Sequence, residues 1–413
     1  MSQKTRDHSM PAVFLLLISA CLLLSSCSIL PTSGTKQYVY TEQKKASIGA
    51  RNEKELLKKL STNGFTEGTT YQNTAATHFS VTEYKKYGKT LYLLVIEGNQ
   101  NYLICPFDFS TDEVKKDFGD ELTIINQGQG NIYLAATACG SFFRACNAID
   151  DIGFSSIRPA DWSISQLKDA MDNKQIRFAG KYSAPDYERL TDGKASLAIE
   201  STMILHTPAV REKLLKLGIP VMIDYSSYES TPEARLEWVK VYGIITGHKN
   251  EAFRFFNEKY KNIEKVNQLE KTGKSVAYFS LDAENNVVVR SGSDYIPAMI
   301  ERAGGEYAFP DLRNPDSDSH SPTVNLSFED FYKTARDTDI MIINTTIEGS
   351  MGSLSALTDR NSLFSDMKAV RDGNVYETSA DIYQSADESD QIINDMHRII
   401  KGKKAKKYFK RLD

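Results

Sequence analysis

Two series of strands alternating with helices, a stretch free of Gly and Pro between them, and a short pattern found once in each series predict an α/β protein. The expected architecture is two Rossmann-like lobes joined by a single long α-helix, with a β-rich N-terminal extension. The first copy of the pattern reads Pro185-Asp186-Tyr187-Glu188-Arg189-Leu190, then Ala195-Ser196-Leu197-Ala198-Ile199, ending in Glu200-Ser201-Thr202. The second reads Asn325-Leu326-Ser327-Phe328-Glu329-Asp330-Phe331, then Asp339-Ile340-Met341-Ile342-Ile343, ending in Asn344-Thr345-Thr346. In each, a helix start carries a glutamate, and an apolar strand follows whose C-terminal end turns polar. Two such units in tandem set two strand ends opposite each other and build a cleft. A glutamate at a helix start also complements the helix dipole, which is the plainer reading of either copy alone.

The chain of 413 residues has room for two ordinary domains and an extension. Its 41% hydrophobic and 25% charged residues are those of a globular protein. With 50 basic against 54 acidic residues, the net charge is -4. Nucleic-acid binding calls for a clustered basic surplus, so that class of partner is excluded.

The N-terminus differs in kind. Lys4, Arg6 and His8 precede an apolar run from Pro11 to Leu24, short for a spanning helix. It ends in Leu24-Ser25-Ser26-Cys27, which resembles a bacterial lipoprotein processing site. Small residues at 25 and 26 let a peptidase close around the chain, and Cys27 supplies the thiol that takes the lipid. The competing Ile18-Ser19-Ala20-Cys21 lies within the apolar run. Residues 1–26 are thus expected to be a signal peptide, and the mature chain to be extracytoplasmic and anchored to the membrane by its N-terminal lipid. An ordinary cleaved signal peptide is the alternative. Cys105, Cys139 and Cys146 then remain, an odd number that forbids full pairing. Cys139 and Cys146 sit about 10 Å apart along a predicted helix, too far for a disulfide.

Residues 27–64 are polar and read as a tether, with a short helix at Glu53 to Leu60. Alternation through Phe79, Val81, Tyr84, Thr90, Tyr92, Leu94 and Ile96 predicts hairpins, and residues 65–130 form the β-rich extension packed on the first lobe. The first lobe, 131–248, has strands at Ile132 to Ala136, Ile152 to Phe154, the first repeat and Pro220 to Ile223, and a helix at Glu233 to Ile245. Lys249 to Lys271 carries Phe256, Tyr260, Ile263 and Val266 at helical spacing. This interlobe helix, assigned to 249–272, would be about 35 Å long. The second lobe, 273–413, runs through Val276 to Ser280, Val287 to Arg290, the second repeat and Val375-Tyr376 to a basic amphipathic helix from Ile392 to Phe409.

Two α/β lobes, a long joining helix and a lipid-anchor signal resemble the solute-binding proteins of ABC importers for iron-siderophore complexes, haem or cobalamin. The resemblance covers about residues 130 to 413 and is carried by Pro185 to Leu190, Leu217-Gly218-Ile219-Pro220-Val221 before Asp224, Arg235-Leu236-Glu237-Trp238 before Gly243, Ser291 to Gly305, and Leu326 to Asn344. It implies a monomer with no catalytic residue and no intrinsic cofactor. It also implies that a small-molecule metal chelate is handed to a permease dimer with its ATPase. In such proteins a glutamate on each lobe docks into arginine-lined pockets of the permease; by position these match Glu188 and Glu329. A ferric siderophore is the expected ligand, with cobalamin and then haem as alternatives.

A ligand between the lobes would meet strand C-termini. The candidates are Thr137, Ser141, Arg158, Trp162, Glu200, Ser201, Thr202 and Tyr228 in the first lobe, and Arg290, Ser291, Tyr295, Thr345 and Tyr383 in the second. Aromatic groups would stack on a catecholate, porphyrin or corrin face, and Arg158 and Arg290 would pair with anionic oxygens. Direct capture of zinc or manganese would need His and carboxylates converging on one ion, whereas His78, His206, His248, His320 and His397 are dispersed. No nucleophile elbow, phosphate-binding loop or dinucleotide fingerprint follows a strand, and Thr137-Ala138-Cys139-Gly140-Ser141 has no evident partner base. No enzymatic activity is therefore expected.

Overall fold

The computed structural model describes residues 50–282, 284–314, 322–346 and 348–413. The signal peptide, Cys27, the residues up to 49 and His320 lie outside the described residues.

The extension is a five-stranded sheet of Thr66–Tyr71, Phe79–Lys86, Lys89–Ile96, Gln100–Cys105 and Thr123–Asn126, in sequence order. The first pairings are antiparallel, but the last is parallel because the helix Asp112–Phe118 carries the chain across. Strand Lys89–Ile96 is buried on both faces. Tyr92, Leu94 and Ile96 join the main core, while Leu91, Leu93 and Val95 meet Leu56, Leu60, Phe65, Val114 and Phe118 in a second one. The helix Ala50–Thr62 thus belongs to the folded body: Leu56 and Leu60, one turn apart, seal that second core. This corrects the reading of 50–64 as tether.

In the first lobe the strand order is Val221–Asp224, Ala198–Ser201, Ile132–Leu134, Ile152–Ser155, Arg177–Phe178, every pair parallel. The extension seals against its edge: the Tyr102 hydroxyl donates to Val221 O at 2.9 Å, and the Gln100 amide exchanges hydrogen bonds with Ile223. The predicted helix over Glu233 to Ile245 is two, Pro232–Glu237 and Val239–Thr246, meeting at buried Trp238. The Trp238 indole donates to Glu229 Oε1 at 2.9 Å and packs edge-on against Phe79.

The joining helix runs Lys249–Val266, 18 residues or about 27 Å, shorter than predicted. Its apolar period stops at Val266, and Thr272 is drawn to Gly304 O through both its N–H (2.8 Å) and its hydroxyl (2.9 Å). Among the described residues the second lobe has a seven-stranded sheet, with the short Glu306–Tyr307 pairing parallel to the start of Ser275–Leu281. Ser275–Leu281, Ile340–Ile343 and Val375–Thr378 form its parallel centre, and Val287–Arg290, Thr323–Leu326 and Phe409–Arg411 are antiparallel additions. The last helix, Ser389–Ile400, ends well before Phe409. Buried Asp395 accepts from the backbone of Lys406, Lys407 and Tyr408 at 2.7–3.0 Å, pinning the basic run as a loop that leads into the final strand.

Charged seams join the lobes. Arg144 makes a two-pronged ion pair with Asp387 (2.8 and 2.6 Å), and Arg302 meets Glu233 at 2.7 Å. The Gln384 amide accepts from Ser163 N at 2.9 Å and donates to Asp161 O at 3.0 Å.

Candidate functional site

Two recesses flank that seam. The first-lobe recess, of about 440 Å³, lies at the C-terminal ends of the parallel strands, where strand carbonyl ends and the following loops leave space. Thr137, Arg158 and Ser201, all expected there, line it, with Cys139, Asp161, Phe178, Lys181, Tyr182, Asp224 and Ser227. Arg158 and Lys181 are exposed, and no ion pair holds either among the described residues. The Arg158 guanidinium lies 4.6 Å over the Phe178 ring. Burial raises the Asp224 carboxyl above its ordinary value, against the lowering effect of its bonds from Ser226 and the Tyr242 hydroxyl. The wall thus carries two exposed cations, Arg158 and Lys181, against exposed Asp161 and the buried, hydrogen-bonded Asp224.

The second-lobe recess, of about 230 Å³, is lined by Arg290, Asn344 and Tyr383 with Tyr278, Asp282, Thr323 and Glu348. Here the arginine is occupied: Arg290 Nε and an Nη meet the two Asp294 oxygens at 2.9 and 2.7 Å. Tyr383 shares a 3.1 Å hydrogen bond with the Tyr278 hydroxyl, and its neighbour Gln384 bonds Asp161 of the first recess. The recesses therefore open on one seam.

The remaining expected contacts stand behind these walls. Trp162 is buried, its indole donating to Ser155 Oγ at 3.1 Å. Its ring lies so close to Gly140 that a Cβ there would come within 2.9 Å of it. Ser141 is buried and donates to Ala138 O; Ser291 is buried beside Ser293 and Leu312 O. Thr345 donates to Thr378 O at 3.0 Å. Tyr295 is buried between Arg235 (4.5 Å) and Arg290 (5.6 Å). Glu200 faces away from the cleft, alternating with Ser201; it is fully buried, and its oxygens find no hydrogen-bond partner among the described residues. Burial pushes its carboxyl up to about 8. Thr202 donates to the Tyr228 hydroxyl at 3.1 Å at the rim.

Phe178, Lys181 and Tyr182 were not anticipated. Phe178 ends the two-residue strand Arg177–Phe178 and Lys181 and Tyr182 follow it; its brevity leaves no alternation to detect, although Gly180, at φ 81 with Ala184 O 2.5 Å from where its Cβ would be, marks a tight hairpin.

Glu188 and Glu329 are both exposed, each in the first turn of a helix, Tyr187–Asp192 and Phe328–Ala335. The caps correspond: Asp186 accepts from Arg189 N at 3.0 Å and Ser327 from Asp330 N at 3.1 Å.

Cys105, Cys139 and Cys146 are buried free thiols. Among the described residues no group of three or more His, Cys, Asp or Glu could hold a metal ion, and no helix is long and apolar enough to cross a membrane.

The periplasmic binding protein family model matches residues 153–401, more than half of the chain. The chain belongs to that family, one of substrate-binding proteins. It is 23% identical over 314 residues to an uncharacterized lipoprotein of Methanocaldococcus jannaschii, covering 72% of each chain. In fold it is similar to a periplasmic binding protein of Veillonella parvula (TM-score 0.55, 13% identity), over 82% of this chain and all of that one. It is likewise similar to a possible iron-binding periplasmic solute-binding protein of Staphylococcus epidermidis (TM-score 0.51, 16% identity), over 65% of this chain and 97% of that one. A periplasmic heme binding protein of Pseudomonas aeruginosa aligns at TM-score 0.51 and 14% identity, over 68% of this chain and 99% of that one.

Proposed function

We propose that the protein is an extracytoplasmic lipoprotein that captures an anionic ferric chelate of the siderophore class between its lobes and delivers it to an ABC permease. The observation that carries this reading is the first-lobe recess, where Arg158 and Lys181, without an ion pair among the described residues, stand beside Phe178 and Tyr182. Catecholate ligands present anionic oxygens and flat rings, which are what such a wall recognises. Membership of a substrate-binding family, and the likeness in fold to one possible iron-binding and one heme binding protein, support it. Lipid on Cys27 would hold the protein at the membrane, and Glu188 and Glu329 would engage two equivalent permease subunits, the stiff joining helix and charged seams keeping their spacing fixed.

The test is equilibrium titration of the body from residue 50 with iron(III) tris-catecholate, cobalamin and haemin, followed by fluorescence quenching. The expected result is one-to-one binding of the ferric complex, with Kd between ~10⁻⁹ and 10⁻⁶ M. Binding of cobalamin or haemin alone would transfer the assignment to that ligand. Binding of none of the three would remove the chelate reading.

A further inference from the structure

The N-terminal extension reaches the back of the cleft wall. Its loop 74–78 is fastened by two fully buried carboxylates of the first lobe. Glu237 accepts from the backbone N–H of Thr74, Ala75 and Ala76 at 2.7–2.8 Å. Glu229 accepts from the N–H of Thr77 and His78 at 3.0–3.2 Å and from the Thr77 hydroxyl at 2.9 Å. These are charge-assisted bonds in a dry setting, where a lost partner is costly.

His78, at the end of this loop, turns toward the segment that walls the first recess. Its Nε2 lies 3.2 Å from Tyr228 O, and its ring stacks on Tyr225 with centroids 6.2 Å apart. Its Nδ1 pairs with Glu97, on the neighbouring hairpin. At the tip of that hairpin Gly98, at φ 79, approaches so closely that a Cβ would stand 3.2 Å from the Tyr225 hydroxyl. The segment between Tyr225 and Glu229 contains Ser227, which lines the recess, and Tyr228, which takes the Thr202 hydrogen bond at its rim.

We propose that His78 is a positioning residue for ligand capture: with Glu97, it holds the 225–229 segment from behind and fixes the first-lobe wall. The consequence for affinity rests on the chelate-binding reading above; the ordering of the segment does not. The extension is then a working part of the binding lobe.

The groups facing the His78 ring are Glu97, Glu229, the Tyr225 phenol ring and the Tyr228 backbone carbonyl. Burial by itself lowers the basicity of His78, but Glu97 and Glu229 reverse this, so its pKa lies above the ordinary histidine value. The charged form can donate to both Glu97 and Tyr228 O at once. As pH rises through the elevated pKa, a neutral ring keeps only one donor and the clamp weakens.

The experiment is hydrogen–deuterium exchange of peptides spanning 225–229, corrected for intrinsic rates, with iron(III) tris-catecholate titrations beside it. It compares wild type, His78→Ala, His78→Gln and Glu97→Gln, the last removing only the partner's charge should His78→Ala fail to fold. His78→Ala should raise exchange in this segment about tenfold and weaken the probe by a similar factor. His78→Gln, which can still donate to Tyr228 O, should restore much of both. In wild type, protection should fall as pH rises through the elevated pKa of His78, while His78→Gln stays flat. Unchanged exchange at 225–229 in both His78→Ala and Glu97→Gln would overturn the proposal, whatever fills the cleft. If wild type fails to bind the probe but the exchange changes appear, the chelate reading fails and the clamp stands.

Discussion

In the first-lobe recess Arg158 and Lys181 are exposed and, among the described residues, without an ion pair, whereas in the second-lobe recess Arg290 is held by both oxygens of buried Asp294. The repeated units differ in the same sense. At the end of the second copy, Asn344 Oδ1 is satisfied by the N–H and hydroxyl of Thr346 at 3.2 and 2.8 Å. At the matching place in the first copy, Glu200 is buried without a partner among the described residues. Duplicated topology has therefore not produced duplicated chemistry. In the second lobe Arg290 and Asn344 are bonded internally, whereas the first lobe leaves Arg158 and Lys181 exposed at its recess.

The largest effect that could break this contrast is in stability. Arg290→Ala leaves the Asp294 carboxylate buried and uncompensated, and should cost on the order of 3–5 kcal/mol in a urea unfolding midpoint. Arg158→Ala, at an exposed site, should change stability by about 0.5 kcal/mol or less. Equal costs would mean that the two arginines are not differently employed.

Next comes the pH dependence of Glu200. Its carboxyl is raised to about 8, so the folded state favours the neutral acid while the unfolded chain ionises in the ordinary carboxylate range. Stability from this group is complete at acid pH and is lost as pH rises toward about 8. Glu200→Gln should remove that slope and gain on wild type by a few kcal/mol between pH 5 and 8, roughly the cost of such a shift. Parallel pH–stability curves for the two proteins would show that Glu200 is satisfied in solution.

Smaller in energy but sharper in meaning are Glu188 and Glu329, proposed above to dock on the permease. Replacing Glu188 or Glu329 with Ala should leave melting temperature and ligand affinity unchanged and reduce uptake through the cognate permease, the two single variants by similar factors. Here alone the lobes should behave as equivalents, since both carboxylates stand exposed on capped first turns. Uptake unaffected in the double variant would remove the docking role.

The layout of the two lobes was legible because periodicity and punctuation agreed over long stretches: apolar strand cores at Ala198–Ser201 and Ile340–Ile343, and caps at Asp186 and Ser327. Boundaries were less so. Helix propensity continues past Val266 and Ile400, but Thr272 and Asp395 capture backbone groups from distant segments, and no local pattern records that. The cleft was legible as a set of strand ends, which placed Thr137, Arg158, Ser201, Arg290 and Tyr383 on its walls. Sequence alone could not decide which of two neighbouring residues faces inward. Trp162, Ser141 and Glu200 turn into the body, while Lys181 and Tyr182, on a hairpin too short to show a period, turn toward the recess.

The central claim is that ligand charge is read by the first lobe. It is tested most directly by titrating wild type and the Arg158→Ala/Lys181→Ala double variant with iron(III) tris-catecholate at low and high salt. About tenfold weaker binding per lost cation, near 1.4 kcal/mol each, and a flatter salt dependence in the double variant are the predicted results. Affinity and salt dependence identical to wild type would contradict the account.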